Sequence, residues 1–444
     1  MTAPSAAARS RPWIPLFIAV CLVAANMRMT IMGVGPLLDQ IADDQGVSPS
    51  ALGALASVPL LVWAFVSPLT HAISVRIGMS RTISWSLVVL AIGTVWRSLP
   101  GGPLNLWLGT ALIGAALAVG NVLMPAVIKR DFSHRVPLVM GVYTAVLGAL
   151  GSVGAGIVAP LSHIEHGGEE LGWRFAMLGT GVLILPALVA WVWANAGRRT
   201  VAPMHPEQLG GGAGGVGAAA LEALAPEASG GSRAADSPGR PDARAPGARG
   251  RSAGRRIWRD RLAWLVAFYM GAQSALFYML TTWLAPLEIS RGRSEVEAGF
   301  DVMFLQLTGI AGSILIPLLY RGRLRRWLPA LIPIAMGVSA TGIVFLPELL
   351  LLWILVYGLA TGASLSMGLT LVAVRARTPE SSSALSGMSQ SVGYLLAAGG
   401  PIAFGWLHEI SAGWTLPFAL LFAVALGQVL AGLAVGRDRY VLEH

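Results

Sequence analysis

Apolar residues in this chain fall in long runs broken by short polar interruptions, and each run has the length of a membrane crossing. About 20 apolar residues of helix traverse a hydrocarbon layer about 30 Å thick. Six such runs, near 13–38, 51–74, 82–96, 104–128, 136–161 and 175–196, precede a polar stretch, and six follow it, near 262–287, 298–320, 327–346, 349–374, 382–407 and 412–436. A transmembrane β-barrel would instead show short segments that alternate every second residue. Arg9 and Arg11 ahead of an apolar stretch also fit a signal peptide, but the stretch is too long for one and removing it would break the six-plus-six count. The pattern predicts an all-α membrane protein with twelve transmembrane helices.

Composition sharpens this picture. Hydrophobic residues make up 55% of the chain and charged ones only 12%, about half the charged share of a soluble domain, and mean hydropathy is +0.67. The net charge of +9 points to no nucleic acid, because the basic residues mark sides of a membrane. Arg9, Arg11, Arg76, Arg81, Lys129, Arg130, Arg135, the arginines of 321–326, Arg375, Arg377, Arg437 and Arg439 all fall on the side of the two termini. Arg97, Arg174, Arg291 and Arg293 fall in loops on the other side. Basic loops stay inside, so both termini are expected in the cytoplasm of a bacterial cell, with the protein in its inner membrane. The stretch 197–256 is rich in Gly, Ala, Pro and Arg and cannot bury a core. It reads as a disordered cytoplasmic linker between a six-helix bundle over 1–196 and a second over 257–444. Inside it, residues 212–217 carry a glycine spacing seen in dinucleotide-binding loops, without the strand and helix that such a loop needs. Cys21 is the single cysteine, so no internal disulfide can form.

The two halves echo one another. Lys129 and Gly141 match Arg375 and Gly387, and the basic turn Arg76–Arg81 has a counterpart in Arg321–Arg326. Parallel repeats of this kind belong to transporters whose halves rock about a central site.

Four segments then carry a family likeness: Asn26-Met27-Arg28 with Val34-Gly35-Pro36-Leu37-Leu38 in the first span; Val119 to Pro125 through Lys129-Arg130-Asp131-Phe132 in the fourth; Gln273-Ser274, Phe277-Tyr278 and Trp283-Leu284 in the seventh; and Leu385 to Leu396 in the eleventh. With them the chain resembles the major facilitator superfamily, and within it the cyanate permease family of cyanate and 2-nitroimidazole transporters. The resemblance implies the major facilitator fold and a cavity lined by the first, fourth, seventh and tenth spans. In the loop after the second span His71 and Val75 stand where the superfamily motif has glycine and aspartate, while Arg76 and Gly78 remain, so no gating salt bridge centred on that aspartate is expected.

Among candidate chemical groups Arg28 stands out. It lies within roughly 4 Å of the midpoint of its span at ~1.5 Å per residue, where a guanidinium costs about 2.5–3.5 kcal/mol to insert. Its planar fork suits bidentate contact with an anion; a structural arginine would need helix carbonyls or an internal acid instead. Asp301, near the outer end of the eighth span, reads as the only acid inside a span. It is too shallow to pair permanently with Arg28, and is the one candidate for proton coupling. Asn26, Asn121, Gln273, Gln306 and Gln390 are polar groups deep in spans, suited either to contacts between helices or to substrate. Tyr278 precedes Pro286 by the interval that separates Arg28 from Pro36, which sets it opposite Arg28, and Tyr394 shares a helix face with Gln390. Trp283 reads as an interfacial anchor. Gly148, Gly151, Gly154 and Gly156 read as sites of close helix packing. His163, His166, Glu165, Glu169 and Glu170 cluster in a loop with no fixed helix to set a metal geometry. No nucleophile, base and orienting group occur together, and neither an enzyme nor a cofactor is expected.

These readings converge on a secondary transporter, acting as a monomer in the lipid bilayer, that moves a small anionic or polar solute by alternating access with Arg28 as its central contact. Export of aromatic drug-like compounds and a non-transporting membrane sensor are the alternatives.

Overall fold

A computed structural model describes residues 13–133, 135–196 and 256–443; the stretch read as a linker and the glycine cluster at 212–217 lie outside the described residues. The first half contains α1 (Ile14–Met32), α2 (Leu38–Gln45), α3 (Pro49–Ile77), α4 (Met79–Ser98), α5 (Pro103–Asp131), α6 (Val136–Ser162), α7 (Gly172–Gly179) and α8 (Ile184–Asn195). The second contains α9 (Arg261–Ile289), α10 (Glu295–Leu319), α11 (Leu328–Phe345), α12 (Leu350–Val374), α13 (Pro379–Ser411) and α14 (Thr415–Val435). A two-stranded hairpin, Glu165–His166 against Glu169–Glu170, is the one sheet among the described residues.

Eleven helical segments of the described residues are long and apolar enough to cross a membrane. Of the twelve expected spans, the eleventh corresponds to α13, a helix of 33 residues whose first half is rich in serine. Helix ends are set locally. Asp260 caps α9 by accepting from the amides of Leu262 and Ala263, and Ser294 and Glu297 form a reciprocal capping box on α10.

Two expected spans are interrupted. The first stops at Met32 and resumes through a 3-10 turn at Gly35–Leu37 into α2, because Pro36 supplies no amide and its ring crowds the preceding turn. The sixth is split between α7 and α8 by turns at Thr180–Leu183, just before Pro186. The break in α1 accounts for Arg97, expected in an outer loop. It is wholly buried in α4 instead, and its Nη1 donates to the Thr30 carbonyl at 2.9 Å. That carbonyl belongs to the last turn of α1, where the helix dipole is negative and carbonyls lack partners. Gly109 makes the room: a Cβ there would lie 2.6 Å from the Arg97 backbone nitrogen.

The molecule has two ends. Ile14, Asn195, Arg261 and Val435 mark the terminal end; Gln45, Ser162, Ile289 and Glu295 mark the far end. One core cluster fills the far end and draws on both halves, from Leu37, Leu55 and Trp173 to Leu284, Leu305 and Phe404. Toward the terminal end the core divides. One cluster belongs to the first half apart from the deep Ala397 and Ala398, and another, around Tyr269 and Met367, is confined to the second half. The three cross-half hydrogen bonds and ion pairs among the described residues all sit at the far end: Gln40 to Glu295, His163 to Glu295 at 3.2 Å, and the Ser50 amide to Glu409 at 3.2 Å.

Glycine governs the approach of the halves. A Cβ on Gly53 would meet the Pro401 carbonyl at 2.3 Å, and one on Gly405 the Pro49 carbonyl at 2.5 Å, so α3 and α13 touch backbone to backbone. The α6 glycines divide the work: Gly148 and Gly156 face Ile310 and Met303 of α10, whereas Gly151 and Gly154 face Arg28 and Met29 of α1. Trp283, read from sequence as an interfacial anchor, is instead buried, stacked on Phe404, with its indole donating to the Pro401 carbonyl at 3.2 Å.

Candidate substrate site

Arg28 projects from α1 where the shared core gives way to the divided one. It is half-buried, and no carboxylate pairs with it among the described residues. Its neighbours are aromatic. The guanidinium carbon lies 5.9 Å from the Phe277 ring centre, and the charge reaches the phenols of Tyr143, Tyr278 and Tyr394. Trp63 meets the Tyr394 ring edge-on at 5.8 Å, and Phe277 meets Tyr278 likewise at 5.1 Å. Arg28, Trp63 and Tyr143 come from the first half, and Phe277, Tyr278 and Tyr394 from the second, so both halves hold the site.

Donors here outnumber acceptors. The Tyr143 hydroxyl and the Trp63 indole nitrogen are buried and have no hydrogen-bond partner, which is uncommon in a folded core. An unneutralised guanidinium beside unused donors leaves this place able to bind acceptor groups. The adjoining cavity toward the far end, lined by Ile31, Met32, Thr110, Tyr278, Thr281 and Thr282 among others, measures about 30 Å³. That is room for a water or two.

The amides expected at the site are spread more widely. Asn26 is buried and donates to the carbonyls of Leu22 and Leu183 at 2.8 and 3.0 Å, which ties α1 to the turn before α8. Asn121 is half-buried in α5, beside Gly120, which packs on Met27. Gln273 donates to Ser274 at 2.5 Å and Gln390 to Ser386 at 3.1 Å, each within its own helix. Gln306 is buried in α10 with its amide nitrogen unpartnered.

Two acidic features depart from the sequence reading. Asp301 has a partner, Arg293, at 2.6 Å, and is buried. It is not alone either, because Glu288, just past the expected end of the seventh span, is fully buried within α9. At the far end His163 lies 3.1 Å from Glu170 as well as beside Glu295. Those two carboxylates, Glu170 foremost, hold its imidazole above the ordinary histidine range. At the terminal end Asp438 is held below the usual carboxylate range by Arg325 and Arg375. No cluster of three or more potential metal ligands occurs among the described residues.

The family described as Major Facilitator Superfamily matches residues 16–398. A 2-nitroimidazole transporter of Escherichia coli is 33% identical over 431 residues, covering 96% of this chain and 97% of that protein. The cyanate transport protein CynX of the same organism is 26% identical, covering 96% and 98%. Among solved structures, a bacterial homologue of the human lysosomal transporter Spinster, inward-facing and unoccupied, superposes with a TM-score of 0.70 at 16% identity, covering 96% of this chain and 95% of that one. The nucleoside transporter NupG superposes with a TM-score of 0.68 at 12% identity, covering 95% and 99%. An all-helical fold with many apolar spans, a match across most of its length and full-length transporter relatives together establish that this chain is a membrane transporter of the Major Facilitator Superfamily.

Proposed function

We propose that the protein carries a small anionic or polar solute across a bacterial inner membrane by alternating access, with Arg28 as the central contact. One observation carries this reading: a half-buried guanidinium without a counter-ion among the described residues, its charge reaching Tyr143, Tyr278 and Tyr394 at the junction of the two halves. A solute with one negative or strongly accepting group supplies what the site lacks. Relatives that move 2-nitroimidazole and cyanate supply the first probes. Asn121, Gln273, Gln306 and Gln390 serve as further polar contacts as the halves shift, and Asn26 supports the helix that carries Arg28.

In this reading the chain forms two six-helix bundles, 1–196 and 257–444, joined by a linker over 197–256, and works as a monomer. The helix α13, eleventh in chain order, joins the eleven apolar segments to complete twelve spans. The basic residues of the terminal end favour cytoplasmic termini, and on that orientation the closed far end is periplasmic and the conformation inward-facing. The deciding experiment measures uptake of labelled cyanate and of labelled 2-nitroimidazole into proteoliposomes containing wild type or Arg28→Gln. Uptake of either probe that Arg28→Gln nearly abolishes supports the reading; uptake that Arg28→Gln leaves unchanged in affinity removes its central contact.

A further inference from the structure

Glu288 stands apart from everything invoked so far. It is fully buried, two residues past Pro286 in α9, and neither carboxyl oxygen accepts a hydrogen bond. Buried carboxylates are almost always satisfied by donors. The charged groups that face Glu288 come from two elements. From α10 comes Asp301, whose carboxyl lies within hydrogen-bonding reach of it. From the turn that joins α9 to α10 come Arg293 and Arg291. Arg293 gives its closest contact to Asp301, at 2.6 Å from Nη2 to Oδ2, and stands 3.4 Å from Glu288 through Nε. Arg291 turns the other way, its Nη1 and Nη2 donating to the carbonyls of Ile343 and Val344 on α11 at 2.7 and 3.2 Å. Two carboxyl groups thus meet inside the protein with one guanidinium between them, and that guanidinium is committed to Asp301.

Two oxygens that can only accept are pushed apart when both groups are ionised; a hydrogen between them turns the contact into a short, strong bond. We propose that Glu288 and Asp301 are a proton-binding site, holding one shared proton, with Glu288 as the acid that donates it and the carboxyl of Asp301, beside Arg293, as its acceptor.

The position of the pair gives the proton a route. Arg293 lies two residues before Glu295, the residue that joins the halves at the far end through Gln40 and His163. When the halves part there, Glu295 leaves its partners, and the turn Ser290–Ser294 that carries Arg293 loses its anchor. The pair then meets water on the far side and exchanges its proton. Loading and discharge of this site therefore follow the opening of the far end, whichever solute is carried.

Infrared spectroscopy of the full-length protein in lipid tests this without a transport substrate. Wild type at neutral pH is expected to show a protonated-carboxyl C=O band that shifts in heavy water, is lost in Glu288→Gln and is displaced in Asp301→Asn. Absence of that band in wild type, or its survival unchanged in Glu288→Gln, overturns the site. If those variants do not fold, Arg293→Gln decides instead: it should strengthen the band, because the two carboxyl groups lose the cation that stands between them, and unchanged intensity counts against the pair. A Cys21→Ser background carrying His163→Cys and Glu295→Cys, bridged by a short bis-maleimide, tests the route. After a jump to alkaline pH the band should fade more slowly in the bridged protein than in the unbridged one, and equal rates overturn the link to the far end. A failure of the Arg28 reading moves none of these signals.

Discussion

Arg28 and Tyr143 answer different questions about the site. Lysine retains the charge of Arg28 but replaces the planar fork with a compact, strongly hydrated ammonium. Each lost charged hydrogen bond is worth about 1.5–3 kcal/mol, so Arg28→Lys should weaken apparent substrate affinity roughly tenfold to a hundredfold, and Arg28→Gln should nearly eliminate uptake. Folding should suffer less than transport in both, because the charge has no counter-ion to strand. Tyr143→Phe is the cleaner test. Its hydroxyl is buried with no partner, so deleting it removes a polar group that gains nothing from the protein. Thermal stability should hold or rise by up to ~1 kcal/mol while affinity falls by about tenfold. A hydroxyl that never meets substrate would leave affinity untouched, and parallel thermal-shift and uptake measurements distinguish the two. Arg28 was legible in the sequence because a lone charge at mid-span is costly enough to demand a reason. Tyr143 and Trp63 were not, since an aromatic residue in an apolar run looks the same whether it packs or waits for a ligand. Glu288 was missed because hydropathy ends a span at its first acid, while the helix itself continues to Ile289.

At the scale of elements, the all-helical membrane class and the order of the apolar helices were readable because each run has only one way to satisfy its backbone in lipid. The breaks at Gly33–Pro36 and at Thr180–Leu183 were not, because apolar residues flank both and the hydrophobic pattern runs on across them. The glycines show what sequence could and could not say. Their number pointed to close packing, but not which helices would touch. Alanine at Gly53 or Gly405 would drive a Cβ into a backbone carbonyl, which has no rotamer to yield, and overpacking of that kind costs about 1–3 kcal/mol. Because both contacts join the halves only while the far end is shut, Gly53→Ala and Gly405→Ala should shift the population toward the far-end-open form. The expected readout is faster maleimide labelling of Ser50→Cys, in a Cys21→Ser background, from the far side of the membrane. Gly141→Ala and Gly387→Ala, the matched glycines of the two repeats, meet nothing within 4 Å and should label at the parent rate. Equal labelling across all four would mean that α3 and α13 do not separate when the far end opens.

At the scale of the whole molecule, a shared core at one end and divided cores at the other fit the proposed rocking of two bundles, in which the far-end contacts set how readily that end opens. Among these, His163 is the side chain whose type changes charge nearest neutral pH. Its imidazole is raised first by the hydrogen bond with Glu170 and then by the charge of Glu295. Glu170 belongs to the same half and stays when the far end opens, whereas Glu295 belongs to the other half and leaves. The closed form therefore binds a proton on His163 more tightly than the open form does. By linkage, the stabilisation this lends to closure is fully present below the open-form pKa and is lost as pH rises through the closed-form pKa, above the ordinary histidine value. Acid on the far side should keep that end shut, and neutral to alkaline pH should release it. Spin labels at Glu169→Cys and Glu348→Cys, exposed positions on opposite halves of the far end, placed in a Cys21→Ser background, report this as a distance distribution. The short-distance population should fall as pH rises through the histidine range, and His163→Gln should flatten that dependence. Glu295→Gln should flatten it too, since Glu170 alone acts equally on both forms. If the population of short distances still follows pH in His163→Gln as it does in the parent, the titrating group lies elsewhere and His163 is only a strut between the halves.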